Sequence, residues 1–288
     1  MQSIEMDDDW AKDHAQNETR YAKLIEHSIF PPWTLFRESW KEDPKLLLPR
    51  MLYHCMRTAK YIPRTLFMAA GCDRDEYVFD VFRNWARRIC RLGQLRLEVI
   101  GQEKLDPDET YLLAVNHMSP MDIPVINAVL PMQAAYVANA AMLKVPVFSY
   151  WMRKSGVVFV DQEHPDKEMK AFKEMIKRLK RGHSLILFPE GFIHQGDGLA
   201  EFKRGGLHAG IFANVPIVPL CLYGTQFVMK AGSLHVSPRK RVVVEFGDPI
   251  EPRSLSRAER KDIEIIVRKR LSEMKARHAS DWHGSRRR

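Results

Sequence analysis

The sequence predicts an α/β fold in which a mixed, largely parallel sheet is covered by helices on both faces. Three observations predict it. Short apolar runs recur from residue 95 onward, segments of helical period separate several of them, and 45% of the 288 residues are hydrophobic, enough for a large core.

In chain order, residues 1–43 are polar, carry five Lys/Arg against ten Asp/Glu, and are expected to be loosely ordered. Their acidic start lacks the apolar segment of a secretory signal. Over 44–70, Leu46, Leu47, Leu48, Met51, Leu52, Met56, Tyr61, Ile62 and Leu66 interleave with Lys45, Arg50, Arg57, Lys60 and Arg64. This basic amphipathic pattern suits an anionic bilayer surface or an ordinary packed helix. A further helix is expected over 78–92, which makes 44–93 a helical segment for a membrane interface and 94–288 the α/β domain.

Within that domain, strands are expected at 95–100, 111–115, 156–160, 184–188, 217–223 and 242–246. After Pro165, the stripe Met169, Phe172, Met175, Ile176 and Leu179 predicts a helix that Gly182 ends. A last helix, over 257–277, places Ile263, Ile266, Val267, Leu271 and Met274 inward, and a basic tail follows it. The uncharged stretches 123–143 and 205–229 are broken by Pro124, Pro131, Pro216 and Pro219, and they read as buried elements of a core rather than membrane spans.

The net charge of +9 divides unevenly: residues 1–43 carry −5, which leaves +14 for the rest. A surplus of that size attracts lipid headgroups, phosphorylated substrates, acidic carrier proteins or nucleic acid. Nucleic acid is disfavoured as a partner, because no recognition module is present and the basic residues are not interleaved with aromatics. Cys55, Cys72, Cys90 and Cys221 are scattered, with no CxxC pair that would suggest a zinc site or redox motif, and the compartment is read as reducing.

The segment from Tyr111 to Asp122 puts Asn116 and His117 just past a buried strand, with a carboxylate five positions after the histidine. Ligand crevices form at such strand ends. Ser119-x-x-Asp122 matches a capping box, with Ser119 as N-cap and Asp122 in the first turn of a helix. Asp122 can then reach one imidazole nitrogen and leave the other to accept a proton from a hydroxyl. Backbone N–H groups near this turn are expected to stabilise an oxyanion. His-x4-Asp alone is weak evidence, since about 0.65 such spacings are expected by chance in a chain of this composition.

A second strand ends in Phe188-Pro189-Glu190-Gly191, a turn expected to expose the Glu190 carboxylate to acceptor hydroxyls. Lys203 and Arg204, followed by Gly205-Gly206, offer two cations on a flexible backbone before a helix, which suits a phosphate and equally a solvated turn.

Asn116-His117-x4-Asp122, then Gly156 to Asp161, then Phe188-Pro189-Glu190-Gly191, then Val215 to Pro219, stand in the order and spacing that resembles the glycerolipid acyltransferases, whose best-known members acylate 1-acylglycerol-3-phosphate. The resemblance spans 95–250. It implies a histidine base at His117 oriented by Asp122, with Asn116, Ser119, Phe188 and Pro189 in support. Acceptor binding is implied around Glu190, Gly191, Lys203, Arg204, Asp161 and Gln162. Also implied are an acyl-CoA or acyl-carrier-protein donor, no metal or other cofactor, membrane lipids as partners, and a place on the cytoplasmic face of a membrane.

Three positions depart from the family pattern: Gln162 replaces an arginine, Asn139 a lysine, and Phe192 a hydroxyl residue. Each change removes a group that would hold glycerol phosphate, which keeps an aminolipid or glycolipid acceptor open. A non-enzymatic lipid- or nucleic-acid-binding protein is the reading from another class. Oligomeric state is not legible.

Overall fold

Seven strands form one sheet in the order β1-β7-β6-β2-β5-β3-β4. They are β1 (Arg96–Ile100), β2 (Leu112–Val115), β3 (Ala134–Asn139), β4 (Val158–Val160), β5 (Ser184–Leu187), β6 (Ile217–Tyr223) and β7 (Arg241–Phe246). The computed structural model describes residues 75–284 apart from 145–151, 154, 162, 197 and 234. All neighbouring strands are parallel except β6 and β7, so β1 and β7 run against the other five. The mixed, largely parallel sheet is the one expected, with one strand more. β3 lies inside the uncharged stretch at 123–143, which had no assigned strand.

Strand periodicity explains how both faces are covered. On β2, Leu113 and Val115 point to one side, where they join Ile186, Val218, Leu220, Val244 and Phe246. Leu112 and Ala114 point to the other and join Leu185, Leu187, Ile217 and Cys221. The first face is covered by α1 (Asp75–Leu92), through Ala86, Ile89 and Cys90, and by α2 (Asp122–Val129), through Val125, Ile126 and Ala128. The second is covered by α3 (Pro165–Lys180), α4 (His208–Ala213) and the long α7 (Ile263–Gly284), whose Ile263, Val267, Leu271 and Met274 are buried in one stripe. A central strand wrapped on both sides has almost no polar surface, which is why 112–115 reads as a continuous apolar run.

Two expected helices differ in detail. Of the stripe on α3, Met175 and Leu179 are buried, but Met169 is 53% exposed, because Ala171 faces the core in its place. Gly182 ends α3 as expected: at φ +87 its N–H donates to Leu179 O, and His183 N–H donates to Arg178 O. The last helix is two, α6 (Arg257–Lys261) and α7, broken at Asp262. Ser256 and Glu259 close a full capping box at the start of α6.

Between β6 and the short α5 (Thr225–Val228), Gly224 holds φ +103, and a Cβ there would sit 2.5 Å from Arg241 O and 3.3 Å from the Trp282 ring. Both neighbours are fixed, one as backbone and one as a buried ring. Gly224→Ala is therefore expected to cost about 1–3 kcal/mol, read as a lower thermal unfolding midpoint.

The expected acidic segment 1–43 and the amphipathic stretch 44–70 lie outside the described residues. Among the described residues no helix is long and apolar enough to cross a membrane.

Candidate active site

β2 is the middle strand of the sheet, flanked in parallel by β5 and β6, and it delivers Asn116 and His117 at its carboxyl end. Asn116 is fully buried and ties this end to β6: its Nδ2 donates to Leu222 O at 2.9 Å, and Leu222 N–H donates to its Oδ1 at 2.8 Å. The next residue is thereby fixed in direction without the amide reaching the cleft.

His117 Nδ1 lies 2.8 Å from Asp122 Oδ2. The same oxygen accepts the N–H groups of Met118 at 2.7 Å and Ser119 at 2.9 Å. Asp122 is wholly buried, and its Oδ1 has no hydrogen-bond partner. Three donors on one oxygen fix the carboxylate, and a carboxylate so held makes Nδ1 the protonated nitrogen of a neutral imidazole. Nε2 then carries the lone pair. It has no partner among the described residues, and the side chain is 15% exposed. Phe188 stacks on the imidazole, with centroids 4.0 Å apart at 19°, and Tyr136 stacks in turn on Phe188.

The expected capping box is half formed. Asp122 reaches back to Ser119 N–H, but the Ser119 hydroxyl accepts from Met121 N at 3.0 Å and donates to Met229 O at 2.7 Å. Met121, not Ser119, occupies the N-cap position of α2, because Asp122 turns away from the helix toward the histidine. The turn also cannot supply the expected oxyanion donors. The N–H groups of His117, Met118, Ser119, Met121 and Asp122 are all engaged within the protein.

Glu190 corrects a second expectation. Its carboxylate is not presented to the cleft: the residue is 1% exposed, Oε1 accepts His117 N–H at 2.9 Å and Oε2 accepts Ala200 N–H at 2.8 Å. Burial pushes its pKa up, against the opposing pull of those two N–H groups and of the Lys275 charge. The Phe-Pro-Glu-Gly corner thus acts as a strut behind the histidine. Pro189, also buried, accepts Lys203 N–H at 2.8 Å, and the Lys203 chain crosses Gly191 so closely that a Cβ there would meet Cε at 2.7 Å. Gly191, Lys203 and the His117–Asp122 pair therefore share one end of the sheet.

The other expected site residues are not drawn into this cluster. Arg204 is exposed on the following turn. Asp161 follows β4, three strands from β2, roughly 14 Å at ordinary strand spacing. Its carboxylate is held at about 2 by the Lys167 hydrogen bond first and His164 second. Asp161, Glu163 and His164 bring three possible metal-ligand atoms within 4.8 Å of one another on this turn, but Lys167 already occupies the aspartate. Gln162 lies outside the described residues. Asn139 accepts Ala141 N–H in a local turn, and Phe192 lies edge-on to His194. Cys90 and Cys221 are buried thiols, the first pushed up by burial to about 12 and the second higher still, so neither is poised as a nucleophile.

Residues 96–223, which span the histidine, the aspartate and the strut, match the family model described as Acyltransferase. This segment, somewhat under half of the chain, is an acyltransferase domain. This acyltransferase is similar to the 1-acyl-sn-glycerol-3-phosphate acyltransferase of Haemophilus influenzae, at 27% identity over 67% of this chain and 82% of that protein. The relative of the same description from Escherichia coli is 28% identical over 57% and 66% of the two chains. That from Cocos nucifera is 30% identical over 47% of this chain but only 44% of its own length. Among solved structures, the 1-acyl-sn-glycerophosphate (LPA) acyltransferase PlsC of Thermotoga maritima superposes with a TM-score of 0.66 at 26% identity, covering 80% of this chain and 96% of that one.

Four groups around the His117–Asp122 pair had no signal in the sequence. Gln195 Nε2 donates to Met118 O and His194 N–H donates to His117 O, while Lys275 and Arg268 of α7 reach the loop that carries them. Each acts across a long sequence separation and belongs to no local pattern.

Proposed function

We propose that the protein moves a fatty acyl group from an acyl thioester, acyl-CoA or acyl-carrier protein, to the hydroxyl of a lysophospholipid, with lysophosphatidic acid the favoured acceptor. One observation carries this reading: an imidazole pinned by a buried carboxylate through Nδ1, with Nε2 unengaged at the carboxyl end of the central parallel strand. The naming of the relatives as 1-acyl-sn-glycerol-3-phosphate acyltransferases supports the choice of acceptor.

In this mechanism Nε2 of His117 takes the acceptor's hydroxyl proton while its oxygen adds to the thioester carbonyl carbon. Asp122 stabilises the imidazolium so formed. The tetrahedral intermediate expels the thiolate, which takes the proton from Nε2, leaving an ester and a free thiol. Donors outside the β2–α2 turn serve the oxyanion. Lys203, Arg204, Gly191 and the turn holding Asp161 and Gln162 bind the acceptor, with Glu190 supporting from behind. The enzyme works at the cytoplasmic face of a membrane, a placement supported by the +14 charge of residues 44–288 and their basic amphipathic segment at 44–70.

A second acceptor class is favoured by Asn139 and Phe192, which contribute no cation or hydroxyl at positions where the family pattern has them. The deciding experiment incubates the full chain with labelled acyl-CoA, then acyl-carrier protein, and a panel of lysophospholipids, aminolipids and glycolipids. Label in phosphatidic acid upholds the favoured acceptor; label only in an aminolipid or glycolipid replaces it; label in none removes the proposal. With a phosphate-bearing acceptor, Lys203→Gln is expected to raise the acceptor KM roughly 10- to 100-fold with kcat little changed, the loss of one charge-assisted hydrogen bond.

A further inference from the structure

Lys275 sits in the middle of α7 and is 3% exposed. Burying an ammonium costs several kcal/mol unless its donors are satisfied, and the helix already has an apolar anchor in Val267, Leu271 and Met274. A hydrocarbon would serve packing at lower cost. The ammonium spends its donors on Gly196 O, at 3.0 Å, and on Gly198 O. About two turns back on the same face of α7, Arg268 donates to Leu199 O at 2.9 Å and Ala200 O at 3.1 Å.

Those carbonyls belong to a stretch, between Gly191 and Leu207, in which no described residue is helical or extended in a strand. The same stretch grips the histidine from both sides. His194 N–H donates to His117 O at 2.8 Å, Gln195 Nε2 donates to Met118 O at 3.1 Å, and Ala200 N–H holds Glu190, which holds His117 N–H. Glycines at 196 and 198 leave this backbone with little stiffness of its own.

We infer that Lys275, seconded by Arg268, is a positioning residue of the acyltransfer site: α7 acts as a clasp that fixes the 194–200 loop and, through it, both peptide groups of His117. The inference rests on His117 being the base proposed above. The positive charge of Lys275 also favours the ionised form of the buried Glu190 that the strut requires. A displacement of about 1 Å at a reacting group is enough to lower turnover on the order of 10²-fold.

The test uses the full chain as wild type, Lys275→Met, Lys275→Arg and His117→Ala. Thiol release from acyl-CoA with lysophosphatidic acid is measured beside peptide-resolved hydrogen exchange. For Lys275→Met the expected result is a kcat roughly 10- to 100-fold down, a donor KM within about threefold of wild type, and substantial recovery in Lys275→Arg. Exchange should quicken over 192–200 and leave β6 unchanged. Wild-type kcat in Lys275→Met, or a loss matched by faster exchange throughout the sheet, overturns the inference. Should Lys275→Met not fold, Arg268→Met is held to the same two criteria. A wild-type chain that releases no thiol with any donor or acceptor sinks the acyltransfer reading instead, and the exchange arm still decides whether Lys275 holds the loop.

Discussion

His117→Ala is expected to lower kcat on the order of 10²- to 10⁴-fold while acyl-CoA binding survives. The substitution removes the proton acceptor and little else. The bonds that set this piece of backbone run from His117 N–H to Glu190 and from His194 N–H to His117 O, and neither involves the ring. Asp122 keeps two of its three donors, the N–H groups of Met118 and Ser119. A folded protein without turnover is therefore the outcome to look for, with donor affinity measured by equilibrium binding. Wild-type turnover in the purified variant would mean that another group takes the proton.

Asp122→Asn is expected to cause a loss of similar order, for a different reason. The amide oxygen can still accept from Nδ1 and from the two backbone N–H groups, so the ring keeps its tautomer; what disappears is the negative charge that stabilises the imidazolium. The amide nitrogen would also occupy the place of Oδ1, which is buried and without an acceptor, and this adds about 1–3 kcal/mol of destabilisation. Because Asp122 acts only through the ring, the two substitutions should not add. A double variant well below His117→Ala would show that the aspartate has a part of its own in the reaction.

The sequence made the sheet legible wherever strands were apolar and bounded by breakers, as at 217–223 between Pro216 and Gly224. β3 escaped because its residues, Ala134-Ala-Tyr-Val-Ala-Asn139, include three alanines, which are depleted in strands, and no charge marks its ends. The His117–Asp122 pair was legible from spacing because both residues stand on one short turn. Glu190 was misread for the opposite reason: Pro-Glu-Gly looks like a surface corner, and what buries it are amides from His117 and Ala200 that chain proximity does not bring there. Lys275 gave no warning either, since a lysine on a basic helix reads as solvated until the loop packed against it is known.

The groups that pin the peptide units of His117 lie more than seventy positions after it. Translation therefore presents the imidazole and its carboxylate long before Glu190 and His194 exist, and α7 arrives last of all. A ribosome-bound chain truncated ahead of β5 carries His117 and Asp122 but lacks Glu190 and His194, which hold the two peptide groups of His117. The orientation of the imidazole is thus set by late-synthesised parts of the chain rather than by its own neighbourhood.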